Sequence, residues 1–578
     1  MHNKYFWLSA AIFAFLTATL VLMTPVTAEE TAGEKSSKHP KLVVLIVFDQ
    51  MRGDYLQRWQ PLFGEGGFKR LLAEGASFTN CHYPYAYTLT AAGHASLVTG
   101  TTPDKHGIIA NEWYDRYKNR DTVTSVTPHL EDKAKGAGPY RRKVETVGDV
   151  LLQVLMGRGR VASLSIKDRS AVLMAALRAG VCYWFNPASG NFVTSGYYRE
   201  DPHTWVTKFN KSRQIDKWLD TKWDRFKPDL DYAKHSSADD FISEGTGYLQ
   251  GQMFPHPFQL AKTKDVKANR QNYYDAVTCS PMGNTLLYMF AKEAITQEKL
   301  GQGDTTDLLC LSFSSNDLVG HAWGPDSQEL LDITLRSDAI VKALLDLLDA
   351  KVGKGNYYVA LSADHGVCPL PELAKQQGKD AGRVEPELLT SRVEEFLNKK
   401  YLVADQKAPW LIVPKRSTSW IYFNYETLKE LKLKQSDVER GLADWLSAQP
   451  GIEKAFTRTE MMATETDDAR HWAFGPMKRS FDSISSGDVM VVNKAYHIFS
   501  PPTIATNPEK YPTYRATHGS PHPYDTHVPL VVMGPRIQPG VRTDRVAPQL
   551  MASILAESLG VPAPSAAEHK LPAGLFRK

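Results

Sequence analysis

Lys41-Leu42-Val43-Val44-Leu45-Ile46-Val47-Phe48-Asp49 is an unbroken apolar run, rich in β-branched residues, that ends abruptly on a carboxylate. A strand with one wet face would alternate apolar and polar residues, so this run fits a strand buried on both faces, as in a parallel sheet under helices. The construction recurs. Val161 to Ile166 runs into Lys167-Asp168-Arg169, Leu308 to Phe313 into Asn316-Asp317, and Tyr357 to Leu361 into Asp364-His365. A further apolar run, Val528 to Met533, follows His518 instead of preceding a polar group. Helices are predicted between these strands over 144–155, 283–296 and 330–348. The alternation predicts an α/β fold: an open, mostly parallel sheet flanked by helices. Ligands bind such sheets at the carboxyl ends of the strands, where these polar residues fall.

Two stretches interrupt the alternation. Residues 183–272, rich in Trp, Tyr, Asp, Lys and Pro, read as an inserted cap whose aromatics suit either substrate contact or packing. Residues 386–492 mix helical segments with the strand-like Trp420-Ile421-Tyr422-Phe423 and Asp488-Val489-Met490-Val491-Val492, and read as a smaller α+β subdomain. The 578 residues carry 68 Lys and Arg against 64 Asp and Glu, a net charge of +4. That balance, with ordinary hydrophobic content, excludes both a disordered chain and a protein that coats nucleic acid with basic charge.

Residues 1–28 hold Lys4, an apolar run from Tyr5 to Met23, and Val26-Thr27-Ala28 ahead of Glu29-Glu30. This reads as a secretory signal cleaved after Ala28. The rival is a retained anchor, because about 19 apolar residues approach a bilayer span. Pro25, just before a small-residue cleavage site, favours removal. A secreted or periplasmic protein without a membrane span is expected, with 29–40 as linker and 41–578 as the folded domain. Five cysteines, Cys81, Cys182, Cys279, Cys310 and Cys368, form no CxxC pattern and read as structural residues, at least one of them unpaired within the chain.

Tyr87-Thr88-Leu89-Thr90-Ala91-Ala92-Gly93-His94-Ala95-Ser96 sets a hydroxyl before a small-residue run that can start a helix. A threonine there is ordinarily an N-cap. Here the rest of the chain favours a nucleophile beside a phosphate held at the helix N-terminus. Asp317-Leu318-Val319-Gly320-His321 spaces a carboxylate and an imidazole to share a metal on a helical turn. Asp364-His365 needs its Gly366 turn to converge, and His518 lies in a loop before a strand. Asp49, Asp317, His321, Asp364, His365 and His518 make an O/N donor set that suits zinc. Six ligands suffice for two metals ~4 Å apart, a spacing that clamps both oxygens of a phosphoryl displacement. Lys167 and Arg169, two apart on an extended strand end, would face the same way and hold a phosphate as point charge and planar fork.

Here the chain resembles the alkaline phosphatase superfamily, in its threonine-nucleophile, PafA-type branch of exported bacterial phosphatases. The matching stretches are Phe48 to Tyr55, Thr90-Ala91-Ala92-Gly93-His94, His106 to Trp113, Ile166-Lys167-Asp168-Arg169, Asp317 to His321, Asp364-His365-Gly366 and Thr517-His518-Gly519. The resemblance implies an alkaline phosphatase-like fold. It implies one zinc on Asp317, His321 and His518, and a second on Asp49, Asp364, His365 and the Thr90 oxygen. Asn111, Lys167 and Arg169 would contact the phosphoryl oxygens of small phosphate monoesters, hydrolysed through a phosphothreonine. His94 is expected to pack behind Thr90, Asp168 to point away, Asp54 to support the ligands, and His106, His522 and His527 to stand outside the set. The alternatives are a phosphodiesterase or nucleotide pyrophosphatase on the same fold, and a non-catalytic zinc- or phosphate-binding protein, which would need no Thr90. A sulfatase lacks its Cys or Ser here, and a phosphoethanolamine transferase lacks its membrane helices. Nothing in the sequence indicates nucleic-acid binding or sets an oligomeric state.

Overall fold

The computed structural model describes residues 40–403, 406–412, 420–463, 471–500 and 513–577. The expected signal and all of the linker but Pro40 lie outside them. No helix among the described residues is long and apolar enough to cross a membrane.

Leu42–Phe48 is the central strand, and every one of its residues is buried. It pairs in parallel with Asp307–Phe313 on one side and Tyr357–Ser362 on the other. Both faces and both edges are therefore withdrawn from water, which is the position an unbroken apolar run requires. The sheet has nine strands. In spatial order they are Gly540–Arg542, Gly75–Phe78, Leu530–Met533, Tyr357–Ser362, Leu42–Phe48, Asp307–Phe313, Val161–Ser165, Val181–Asn186 and Asn191–Val193. It is mostly parallel and flanked by helices, with Leu530–Met533 and Asn191–Val193 running against their neighbours. The reversal explains the odd run after His518. An antiparallel strand begins at the edge where the parallel strands end, so the loop leading into it delivers His518 to the same edge as Asp49 and Asp364.

The helices expected from periodicity are Val147–Val154, Pro281–Gln297 and Gln328–Lys351. Their starts are set by caps. Thr146 and Asp149 form a capping box, while Ser280 and Ser327 accept backbone N–H groups ahead of the first apolar position.

The expected excursion at 183 starts later. Tyr183 is a buried residue of the Val181–Asn186 strand, and only after Val193 does the chain leave the sheet. Aromatics of the excursion pack: Trp223 and Tyr232 are buried and donate to Asp332 on the Gln328–Lys351 helix. Within 386–493 a separate sheet orders Leu411–Ile412, Trp420–Phe423, Val489–Asn493 and Ile452–Thr457 over its own core of Leu397, Trp410, Phe423 and Leu442. All five cysteines are buried and unpaired.

Candidate active site

Asp49 directly follows the central strand. Asp364 and His365 follow Tyr357–Ser362, and Asp317 and His321 lie on the helix Ser315–Trp323 that begins just beyond Phe313. The i, i+4 spacing puts these last two on one helical face, His321 Nε2 standing 3.1 Å from Asp317 Oδ1. Asp317, His321 and His518 bring ligand atoms within 4.8 Å of one another, and so do Asp49, Asp364 and His365. The His365 and His518 rings stack with centroids 3.4 Å apart, so the two triads abut.

The imidazoles are oriented alike. His321 Nδ1 meets Ala516 O at 2.6 Å, His518 Nδ1 meets Thr88 O at 2.8 Å, and His365 Nδ1 meets Gly366 O at 2.8 Å. A carbonyl can only accept, so each Nδ1 carries the proton and each Nε2 turns a lone pair toward the carboxylates, as ligating histidines do. Burial pushes the pKa of His365 down, and burial with the neighbouring rings pushes His518 well down. Neutral imidazole is the form a metal needs. Burial and Asp364 push Asp49 well up. For Asp317, burial is outweighed by His321 and Lys167, and its carboxyl is held well below the usual range. Asp49 Oδ1 is buried with no hydrogen-bond partner among the described residues, and Asp364 Oδ2 has the His94 and His365 rings near it. Crowded buried carboxylates beside three imidazoles whose Nε2 atoms turn toward them fit a divalent metal.

Thr90 is the first residue of the helix Thr90–Thr99; Leu89 takes the N-cap position, and no side chain caps it. The ordinary role for a threonine here is thus unfilled. Its buried Oγ1 instead faces His365 Nε2 at 3.4 Å. At the helix N-terminus, where a phosphate is expected, the Ala91 N–H donates to Asn111 Oδ1 at 2.9 Å. That bond commits Oδ1 and fixes the Asn111 amide at the helix N-terminus. Lys167 and Arg169 do not share an extended strand end. The strand stops at Ser165, Lys167 is the N-cap of the helix Asp168–Met174, and Arg169 lies in its first turn. Lys167 Nζ reaches between the triads, 2.8 Å from Asp49 Oδ2 and 2.5 Å from Asp317 Oδ2. Arg169 Nε has no hydrogen-bond partner among the described residues.

His94 lies behind Thr90, bonded to its carbonyl and to Ser312, with Nδ1 3.2 Å from Asp364 Oδ2. Asp168 turns back onto the Arg169 N–H. His106, His522 and His527 bond to Ser96, Asn493 O and Thr79 O, away from the triads. Asp54 departs from expectation: it binds Arg52 through both oxygens. Two neighbours escaped the sequence reading. Tyr514 stacks on His321 at 4.5 Å, a contact between segments far apart in the chain. Gln50 touches both triads; its place directly after a strand-end carboxylate was the one signal available.

Fold and site together define a hydrolase of phosphoryl esters in the alkaline phosphatase superfamily. Residues 43–438 match the family described as Type I phosphodiesterase / nucleotide pyrophosphatase, and the chain belongs to it. It is 34% identical to alkaline phosphatase PhoV of Synechococcus elongatus over 87% of this chain and 86% of that protein. It is 31% identical to alkaline phosphatase PafA of Elizabethkingia meningoseptica over 91% and 92%. The crystal structure of wild-type PafA superposes with a TM-score of 0.81 at 29% identity, covering 93% of this chain and 99% of that one. The superfamily and the sheet architecture expected from the motifs are both borne out.

Proposed function

We propose that the chain is an exported, zinc-dependent alkaline phosphatase that hydrolyses phosphate monoesters through a phosphothreonine at Thr90. The observation that carries this reading is a buried threonine hydroxyl, free of any capping role, set against two acid and imidazole triads. Asp317, His321 and His518 would hold one zinc, and Asp49, Asp364 and His365, with the Thr90 oxygen, the other. When bound, zinc supplies Lewis-acid activation of the hydroxyl and charge compensation for the departing oxygen.

The chain's own groups do the rest. Thr90 Oγ1 bonds to phosphorus as the ester oxygen leaves with its bonding pair and takes up a proton. Water then displaces Thr90 from phosphorus, releasing inorganic phosphate and restoring the hydroxyl. Asn111 offers its NH2 to a phosphoryl oxygen. Arg169 offers its Nε–H, which has no partner among the described residues, and Lys167 turns to the phosphoryl group once the charge on Asp49 and Asp317 is otherwise balanced. Two cations and an amide suit a dianionic group with three free oxygens. The alkaline phosphatase names of the full-length relatives support the same reading, and the leader-like 1–28 supports export.

A phosphodiesterase is the second reading, favoured by the family's description over 43–438. The discriminating experiment is kcat/KM of zinc-loaded protein for an aryl phosphate and for its methyl diester. A higher value for the monoester is expected; a higher value for the diester overturns the assignment.

A further inference from the structure

We infer that Gln50 is a positioning residue that ties the two triads together, and that residue 320 is glycine to make room for it. The inference rests on the reading that both triads hold metal. Gln50 directly follows Asp49 and adopts φ 68°, a left-handed conformation uncommon for a residue with a side chain. The bend is used twice. It turns the Gln50 backbone N–H onto Asp364 Oδ1 at 3.0 Å, and it aims the side chain so that Nε2 donates to Asp317 Oδ1 at 2.7 Å. One residue thus holds a carboxylate from each triad while belonging to neither. All three residues are buried, so water does not compete for these bonds.

Gly320 lies between Asp317 and His321 inside the helix Ser315–Trp323. Glycine is a poorer helix former than alanine, so its presence there calls for a packing reason. A Cβ at this position would fall 1.9 Å from Gln50 Oε1. The space beside the ligand-bearing helix is therefore filled by the Gln50 amide, whose Nε2 donates to Asp317 while its Oε1 packs over Gly320 with no hydrogen-bond partner among the described residues. Fixing Asp317 and Asp364 from a single residue sets their mutual orientation before any ion arrives.

Gln50→Gly removes the side-chain bond, keeps the N–H on Asp364 and suits a positive φ. Gly320→Ala drives a methyl group into the amide. These two variants and their combination are titrated with zinc against a chromophoric chelator, and the metal-free forms are melted in parallel. Wild type is expected to hold two zinc ions. Each single variant is expected to hold one of them about 10–100-fold more weakly, with little change in the metal-free Tm. In the double variant the alanine should add little, because the amide it collides with is gone. Wild type that binds fewer than two ions defeats the metal reading itself. Unchanged zinc affinity in Gln50→Gly, or a loss matched by a fall in the metal-free Tm, overturns the role of Gln50. Additive losses in the double variant overturn the pairing with Gly320.

Discussion

Replacing Lys167 with methionine should separate two jobs that one ammonium performs. Its side chain is 9% exposed, and Nζ lies 2.8 Å from Asp49 Oδ2 and 2.5 Å from Asp317 Oδ2. Burial pulls the ammonium pKa down, but the carboxylates of Asp317 and Asp49 outweigh it and hold it up. In the metal-free protein Lys167 is therefore the cation paired with the buried Asp317 carboxylate and bonded to Asp49 beside it, and removing one partner of a buried pair costs about 3–5 kcal/mol. Methionine preserves much of the length and packing without the charge. Urea unfolding of metal-free Lys167→Met should show a loss of that order. With zinc bound, the carboxylates are balanced from another source, so the loss should shrink. Activity should move the other way: removing one buried phosphoryl contact lowers kcat/KM for an aryl phosphate by about 10²–10³. Both assays run on the same preparations. Equal destabilisation of the loaded and metal-free forms, with kinetics unchanged, would refute the reasoning.

Arg169→Ala should lower kcat/KM more for an aryl phosphate than for its methyl diester, because the lost guanidinium serves an oxygen that the diester has alkylated; equal losses in steady-state kinetics would count against that contact. Burial pushes the Asp525 carboxyl up to about 7 from the ordinary 3.8. A folded-state pKa raised in this way gives stability that is present below the ordinary value and lost as pH rises through about 7. Asp525→Asn keeps an acceptor for the Ser520 N–H and hydroxyl. It should therefore gain progressively on wild type in thermal melts from about pH 4 to pH 7, by at most ~4 kcal/mol; a difference that stays flat across that range contradicts the burial of that charge. Leu45→Ala, at the middle of the fully buried central strand, should cost about 2–5 kcal/mol in urea unfolding, and a loss below 1 kcal/mol on that scale would show that the strand is not the core of the sheet.

The strand from Leu42 to Phe48 was legible because a position buried on both faces needs an uninterrupted apolar run and a strand end needs none. The same contrast places Asp49, Asp317 and Asp364 at one edge of the sheet. Periodicity reports packing, however, and not capping, so the helices at Ser280 and Ser327 begin before their apolar stripes. Tyr183 reads as part of the excursion because its aromatic-rich surroundings hide two short strands at that end of the sheet, Val181–Asn186 and the edge strand Asn191–Val193. Strand alternation would put Lys167 and Arg169 on one face, but the backbone leaves the strand after Ser165 and turns into a helix. Tyr514 on His321 and Gln50 on Asp317 are contacts between residues hundreds of positions apart or masked by a neighbouring ligand. Local pattern carries no trace of the first and only a positional hint of the second.

The central claim is that Thr90 carries the phosphoryl group between two displacements. Zinc-loaded wild type is mixed with an aryl phosphate, quenched in acid within the first turnover, digested, and the peptide containing Thr90 is weighed by mass spectrometry. The account predicts one added phosphoryl group on Thr90, absent from Thr90→Ala, which should keep its fold while losing most turnover. An unmodified Thr90 peptide, together with Thr90→Ala turning over at the wild-type rate, would contradict it.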